Sequence, residues 1–285
     1  MNVAVDTIDL QLARRERQLQ LRRRGAVLVV LLALLLGSMA WDLLSGPSGL
    51  TPSALLHGLL HPADLEPSQR VIIWNVRLPY AVMALLVGGA LALAGAEMQT
   101  ILDNPLASPF TLGVSSSAAL GASLAIFFHL GNAWLSANTA VSLAAFVFAC
   151  LSLVLLQGLS RLRGGGVESL VLFGIALVFS CNAAVALLQM MASEDVLQQL
   201  VFWTLGSLAR ADWHKAGALA LVLALCLPFS QAAASKLTVL RMGEDRARSL
   251  GVDVRRLRRF ALLRICLLSA CAVAFVGTIG FIGLI

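Results

Sequence analysis

Seven apolar runs divide this chain, each about as long as the ~20 residues that a helix needs to cross ~30 Å of hydrocarbon. They cover roughly Ala26–Leu44, Pro79–Leu102, Leu112–Leu130, Ala137–Leu159, Ser169–Met191, Ala216–Ala234 and Phe260–Ile279. Inside a bilayer no water is available to the backbone, so the runs are expected to be helical. Composition agrees. The 285 residues are 59% hydrophobic and 13% charged, where soluble domains sit near ~45–50% and ~25%. The expectation is an all-α, polytopic transmembrane helical bundle. It comprises a cytoplasmic amino-terminal segment, residues 1–25, and a transmembrane domain, residues 26–285.

Basic residues set the orientation. The amino-terminal segment carries Arg14, Arg15, Arg17, Arg22, Arg23 and Arg24. Arg161 and Arg163 follow the fourth run. Lys236, Arg241, Arg246, Arg248, Arg255, Arg256, Arg258 and Arg259 lie between the sixth and the seventh. The opposite connections hold Arg70, Arg77, Arg210 and Lys215. Sixteen basic residues against four predict a cytoplasmic amino terminus. The net charge of +6 thus reads as topology, and no nucleic-acid partner is expected. Met1 to Gln20 is polar and does not read as a signal peptide.

On the outer side, Pro52–Leu60 reads as a short helix capped by Thr51. Glu194 to Trp213 reads as an amphipathic interfacial helix, with Trp203 and Trp213 at headgroup depth. Within the second run Gly88, Gly89, Ala92, Gly95 and Ala96 share a helix face, which suits close packing inside the bundle; the same face is also a candidate path lining. Glu97, one turn from the end of that run, is an ionisable group within a span and a functional candidate. Asp103 to Pro109 breaks the helix, because Pro105 lacks a donor and disfavours helix at Asn104.

Between the sixth and seventh runs, Gly243 to Leu250 reads as a short helix. Glu244 and Asp245 suit its positive end, and Gly251 closes it in a left-handed conformation. A glycine-flanked helix between two spans suits docking of a cytoplasmic partner; the plainer reading is a solvated loop. Cys150, Cys181, Cys226, Cys266 and Cys271 all lie in apolar runs without paired spacing, which suits buried thiols. His57, His61, His129 and His214 form no metal-ligand pattern. No catalytic constellation and no GxxxxGK[ST] loop occurs, so no cofactor, no enzymatic activity and no ATP site of that type are expected.

Taken together, six stretches resemble the FecCD-type permease subunits of ABC importers for iron-siderophores, haem and vitamin B12. They are Arg77-Leu78-Pro79, Gly88–Gln99, Asn104–Pro109 through Leu112-Gly113, Phe202–Leu208, Leu240–Val252 and Gly280–Ile285. The resemblance covers about residues 70–285. It implies ten spans and a dimer around a central path, built with an identical or a related permease. It also implies two cytoplasmic ATPase subunits and a periplasmic binding protein as partners, with lipid around the whole. It places the chain in a bacterial inner membrane as the subunit that carries a ferric-siderophore, the ATP being hydrolysed elsewhere. Haem or vitamin B12 is the alternative within the family, and an ion-coupled secondary transporter using Glu97 the alternative outside it.

Residue by residue, Gly243, Glu244, Ala247, Leu250 and Gly251 match the coupling motif, and Arg248 joins Glu244 as a coupling candidate. Arg77 matches the position that contacts the binding protein. Gly88, Gly89, Gly95, Asn104 and Pro105 fall on the path or its packing. Two features depart from the pattern. Tyr80 stands where many members carry a second basic residue, and members continue past Gly-Phe-Ile-Gly-Leu-Ile with about three more spans. The expectation is therefore of an incomplete permease domain.

Overall fold

The computed structural model describes residues 2–44, 52–131, 136–162 and 167–280. Most of the closing Gly-Phe-Ile-Gly-Leu-Ile stretch lies outside them, as does Thr51. All regular structure among the described residues is helical. Among the described residues six helices are long and apolar enough to cross a membrane, against seven expected. The chain divides into two compact units, Met1–Ala81 and Val82–Ile285.

The first unit opens with α1 (Asn2–Leu44), whose spanning part is Gln18–Leu44. Next comes α2 (Pro52–Leu60), at the bounds expected for the short outer helix. A 3-10 turn, Pro62–Asp64, and α3 (Pro67–Arg70) follow. Leu43, Ile73 and Ala81 form a small core, with Met39, Leu59, Leu65 and Trp74 against it. The second span begins earlier than its sequence suggests. A π-helical stretch, Val71–Arg77, joins α3 to α4 (Leu78–Leu102), giving a continuous Pro67–Leu102. Pro79 cannot donate to a carbonyl one turn back. The wide turn just before it, in which Leu78 N–H reaches Ile73 O, shifts the ladder where the proline would interrupt it.

The second unit contains most of α4 and α5 (Val114–Phe127), α6 (Ala137–Leu162), α7 (Val167–Met191), α8 (Glu194–Thr204), α9 (Trp213–Leu240), α10 (Glu244–Ser249) and α11 (Val254–Val276). Helix α5 is the expected third span, yet it has only 14 residues, or ~21 Å at ~1.5 Å per residue. Gly113 at φ 78° starts it, and His129 at φ 52° follows its end. It packs on α6, α7, α8 and α11. A helix enclosed by protein has no need to match the hydrocarbon thickness.

The small residues of α5 permit that enclosure. A Cβ on Gly121 would lie 2.5 Å from Ala144 O of α6. At Gly174 of α7 a Cβ would lie 3.0 Å from both Leu112 Cα and Thr111 O. Ser117 Oγ lies 3.4 Å from Cys181 Sγ. The close packing expected of α4 is thus found on α5. On α4 the buried face is Met83, Val87, Ala90, Leu91, Ala94, Met98 and Ile101. Gly95 is buried, but Gly89, Ala92 and Ala96 are exposed and Gly88 half-buried. The larger side chains of α4 won the interior, because they bury more apolar surface.

The expected interfacial helix is also corrected. Helix α8 ends at Thr204, and a separate 3-10 turn, Leu208–Arg210, leads to α9. Val196, Leu200 and Trp203 form its inward face, which packs on α5. Trp203 is only 5% exposed and is covered by protein; Trp213 remains exposed.

Candidate functional site

The α10 junction follows from its sequence. Gly243 (φ 109°) and Gly251 (φ 79°) take positive φ at the two ends of the helix, a conformation that costs other residues energy. After the helix, Gly251 N–H donates to Arg248 O and Val252 N–H to Ala247 O, both at 3.0 Å. This closure leaves Ala247 fully buried, 0% exposed, against the bundle, while Met242 and Leu250 are exposed, Leu250 by 63%. Asp253 then caps α11 by accepting from Arg256 N–H at 2.9 Å. The short glycine-bounded helix expected there is present.

Its acidic residue looks inward as well as outward. Glu244 accepts from Arg248 at 2.5 Å and from Arg258 of α11 at 2.8 Å. The Arg258 guanidinium also donates to Ile101 O, near the end of α4, at 3.3 Å. Three helices thus meet on one arginine. Further along α4 and α11, Arg264 grips Glu97 through three hydrogen bonds of 2.8–3.1 Å. Glu97 is 4% exposed and Arg264 8%. Glu97 therefore pairs inside the protein, although it lies near the helix end.

The turn beside this junction is also ordered by side chains. Asn104 Oδ1 accepts from Leu106 N–H at 2.9 Å, and Thr111 Oγ1 donates to Ser108 O at 2.7 Å. Asn104, Pro105 and Leu106 are exposed, while Ala107, Ser108 and Pro109 are buried. Asn104 and Pro105 follow the same end of α4 that Arg258 contacts through Ile101 O.

The opposite end of the second unit is built from backbone contacts. Ser207 N–H donates to Val276 O at 2.6 Å, and Thr278 Oγ1 donates to Thr204 O. Gly206 (φ 67°) and Gly277 (φ 83°) lie against one another's strands of chain. A Cβ on Gly206 would be 2.5 Å from Thr278 O, and one on Gly277 2.6 Å from Trp203 O. Arg210 lies over the Trp203 ring at 5.8 Å and donates to Phe202 O at 2.8 Å; burial pushes this guanidinium below its usual range. Asp212 caps α9 by accepting from Lys215 N–H at 2.8 Å. Burial alone would raise Asp212, but the Lys215 hydrogen bonds and charge outweigh it and hold the carboxyl below its ordinary value.

The structure brings Glu244, Ala247, Arg248, Leu250 and the two flanking glycines together, as their spacing implied. Arg77 lies in the first unit, where it donates to Leu43 O at the end of α1. Gly88, Gly89 and Gly95 belong to α4 and do not converge with α10. The sequence reading missed Arg258 and Arg264. Both are set in a basic run, Arg255–Arg264, that resembles a plain topology signal. The clue was position: Arg264 alone lies well inside the last apolar run. No group of three or more metal-ligating side chains occurs among the described residues.

Comparison with known proteins fits this picture. The FecCD transport family profile matches residues 30–285. A putative ABC transporter permease protein of Methanocaldococcus jannaschii is 36% identical over 264 residues, covering 90% of this chain and 75% of that one. The hemin transport system permease protein of Yersinia pestis is 38% identical over 215 residues, 75% of this chain and 64% of the relative. The molybdate import system permease protein of Haemophilus influenzae is 36% identical over 223 residues, 78% and 65% respectively. The chain thus spans 64–75% of the length of these relatives. Among solved structures, an inward-facing conformation of a putative metal-chelate type ABC transporter superposes with a TM-score of 0.78 at 32% identity, covering 92% of this chain and 79% of that one. On the strength of the profile match and this likeness, the chain is a multi-pass helical membrane protein that belongs to the FecCD transport family.

Proposed function

We propose that this chain is the permease subunit of an ABC importer and carries a ferric-siderophore across the plasma membrane, with its amino terminus in the cytoplasm. The observation that carries the reading is the α10 junction. A short helix, set off by two positive-φ glycines, presents Arg248 and Leu250 outward and is tied through Glu244 and Arg258 to two spanning helices. Such an element receives a push from a partner and passes it to the bundle. Closure of a separate pair of ATPase subunits would supply that push, and the spans would tilt as rigid bodies between two states. The chain itself performs no chemistry.

Orientation rests on the basic residues around α10 and before α1. A binding protein would then dock on the opposite side, where Arg77 steers its acidic groups, and a second permease would complete the path. Exposed apolar residues on α7, among them Leu172, Ile175 and Phe179, face that second chain or lipid. The path would run beside α4 and the Asn104-Pro105 turn. The iron chelate is the cargo in this reading because the similar structure is that of a putative metal-chelate type ABC transporter and one relative is a hemin transport permease.

The test is uptake of labelled iron, given as a ferric-siderophore, by cells with and without the gene, beside labelled hemin, cobalamin and molybdate. Loss of iron uptake alone is expected. Loss of one of the other cargoes instead would keep the importer and replace the substrate. Loss of none, in cells with no redundant importer, would contradict the proposal.

A further inference from the structure

Among the described residues, Glu97 and Arg264 are the two charged side chains that are buried. Each lies within a spanning helix, where an ionisable group is costly and points to function. Adhesion alone does not account for them. Apart from Ser269, whose hydroxyl donates to Ile265 O of its own helix, the rest of the α4 and α11 interior is apolar, with Met98, Ile101, Ile265 and Leu268 fully buried, and a buried ion pair adds little or no stability over well-packed apolar residues. What a guanidinium fork on a carboxylate adds is geometry. Its three bonds of 2.8–3.1 Å fix how far α11 slides along α4 and how it is turned. A slip of one residue, ~1.5 Å, would break them and leave two charges unpaired in a low-dielectric interior.

The position of the pair gives that constraint a use. Helix α11 continues from α10 after Leu250, Gly251, Val252 and Asp253. Arg258 bonds both Glu244 of α10 and Ile101 O of α4. Glu97 lies one helical turn before Ile101 on α4, and Arg264 less than two turns after Arg258 on α11. The two helices are therefore tied at two levels, first by the half-buried Arg258 and then by a buried pair. α11 is also the most enclosed of the six spans, so it is suited to transmit a displacement rather than absorb it.

We propose that Glu97 and Arg264 form a positioning clamp that makes α4 and α11 move as one piece, so that a displacement of α10 reaches α4. This rests on the reading of α10 as the ATPase-facing element. The two residues touch no cargo; they act through the helices that they register.

The experiment uses the assembled importer in proteoliposomes and reads labelled ferric-siderophore taken up per ATP hydrolysed. The Glu97→Met/Arg264→Met double variant keeps the packing and removes the fork. It is expected to assemble in normal amount and hydrolyse ATP at the normal rate, while uptake per ATP falls about tenfold. Arg264→Lys, which keeps the charge but not the fork, is expected to fall in the same direction and serves if the double variant does not assemble. Glu97→Asp with Arg264 intact should recover part of the ratio. Uptake per ATP within twofold of the parent protein in Arg264→Lys or the double variant would overturn the clamp. A parent complex that hydrolyses ATP but takes up none of the cargoes tested above would overturn the importer reading, and the clamp with it.

Discussion

The two ends of the second unit are held by different physics. At the α8 end, Gly206 and Gly277 let backbone meet backbone, and Ser207 and Thr278 stitch the contact with hydrogen bonds. Nothing there can shift without a steric clash or a lost bond. At the α10 end the elements are joined by long charged side chains, Glu244, Arg248 and Arg258. Such groups re-form bonds over a range of distances, and the more exposed Glu244–Arg248 pair contributes little to stability. One end is built as a fixed joint and the other as an adjustable one, with the buried Glu97–Arg264 pair between them.

The sharpest way to break this contrast is to remove half of the buried pair. Arg264→Met leaves Glu97 unpaired in the interior and should destabilise by about 3–5 kcal/mol, seen as loss of folded protein in detergent melts. The matched Glu97→Met/Arg264→Met variant should recover most of that loss.

Next in size is the fixed joint. Gly277→Ala places a Cβ against Trp203 O at a positive φ and should cost about 2–4 kcal/mol, measured in the same melts. An effect below that of a surface alanine would mean that the joint is not tight.

Asp212→Ala removes the α9 cap and should cost about 1 kcal/mol. Its carboxyl is held below the ordinary range in the fold, so its contribution is present above the unfolded value, near ~3.9, and fades as pH falls through the lower folded one. A melting series toward acid should show the parent protein approaching the variant. Smallest in stability is Arg248→Ala, within about 0.5 kcal/mol, yet ATP-driven uptake should fall if the proposed coupling surface includes this exposed residue. Unchanged uptake would remove Arg248 from the coupling surface.

How far this arrangement could be read in advance depended on the kind of signal. The helices were legible because apolar runs of spanning length leave the backbone no alternative. The α10 turn was legible because its glycines and acidic first turn are local. The close packing of α5 was not: Gly121 and Gly174 look no different from Gly88 and Gly89 until their neighbours are known. Trp203 likewise follows an amphipathic pattern that does not say whether lipid or α5 covers its apolar face. Glu97 was noticed but not its partner, because 167 residues separate them and no local pattern links such pairs.

The most direct test of the account is a cross-link at α10. With Leu250→Cys in the assembled complex, a thiol cross-linker should join this chain to its ATPase partner, with a yield that changes when ATP is bound. The same reagent on Phe202→Cys, at the other joint, should give no such product. A cross-link to the ATPase from Phe202→Cys and none from Leu250→Cys would contradict the account.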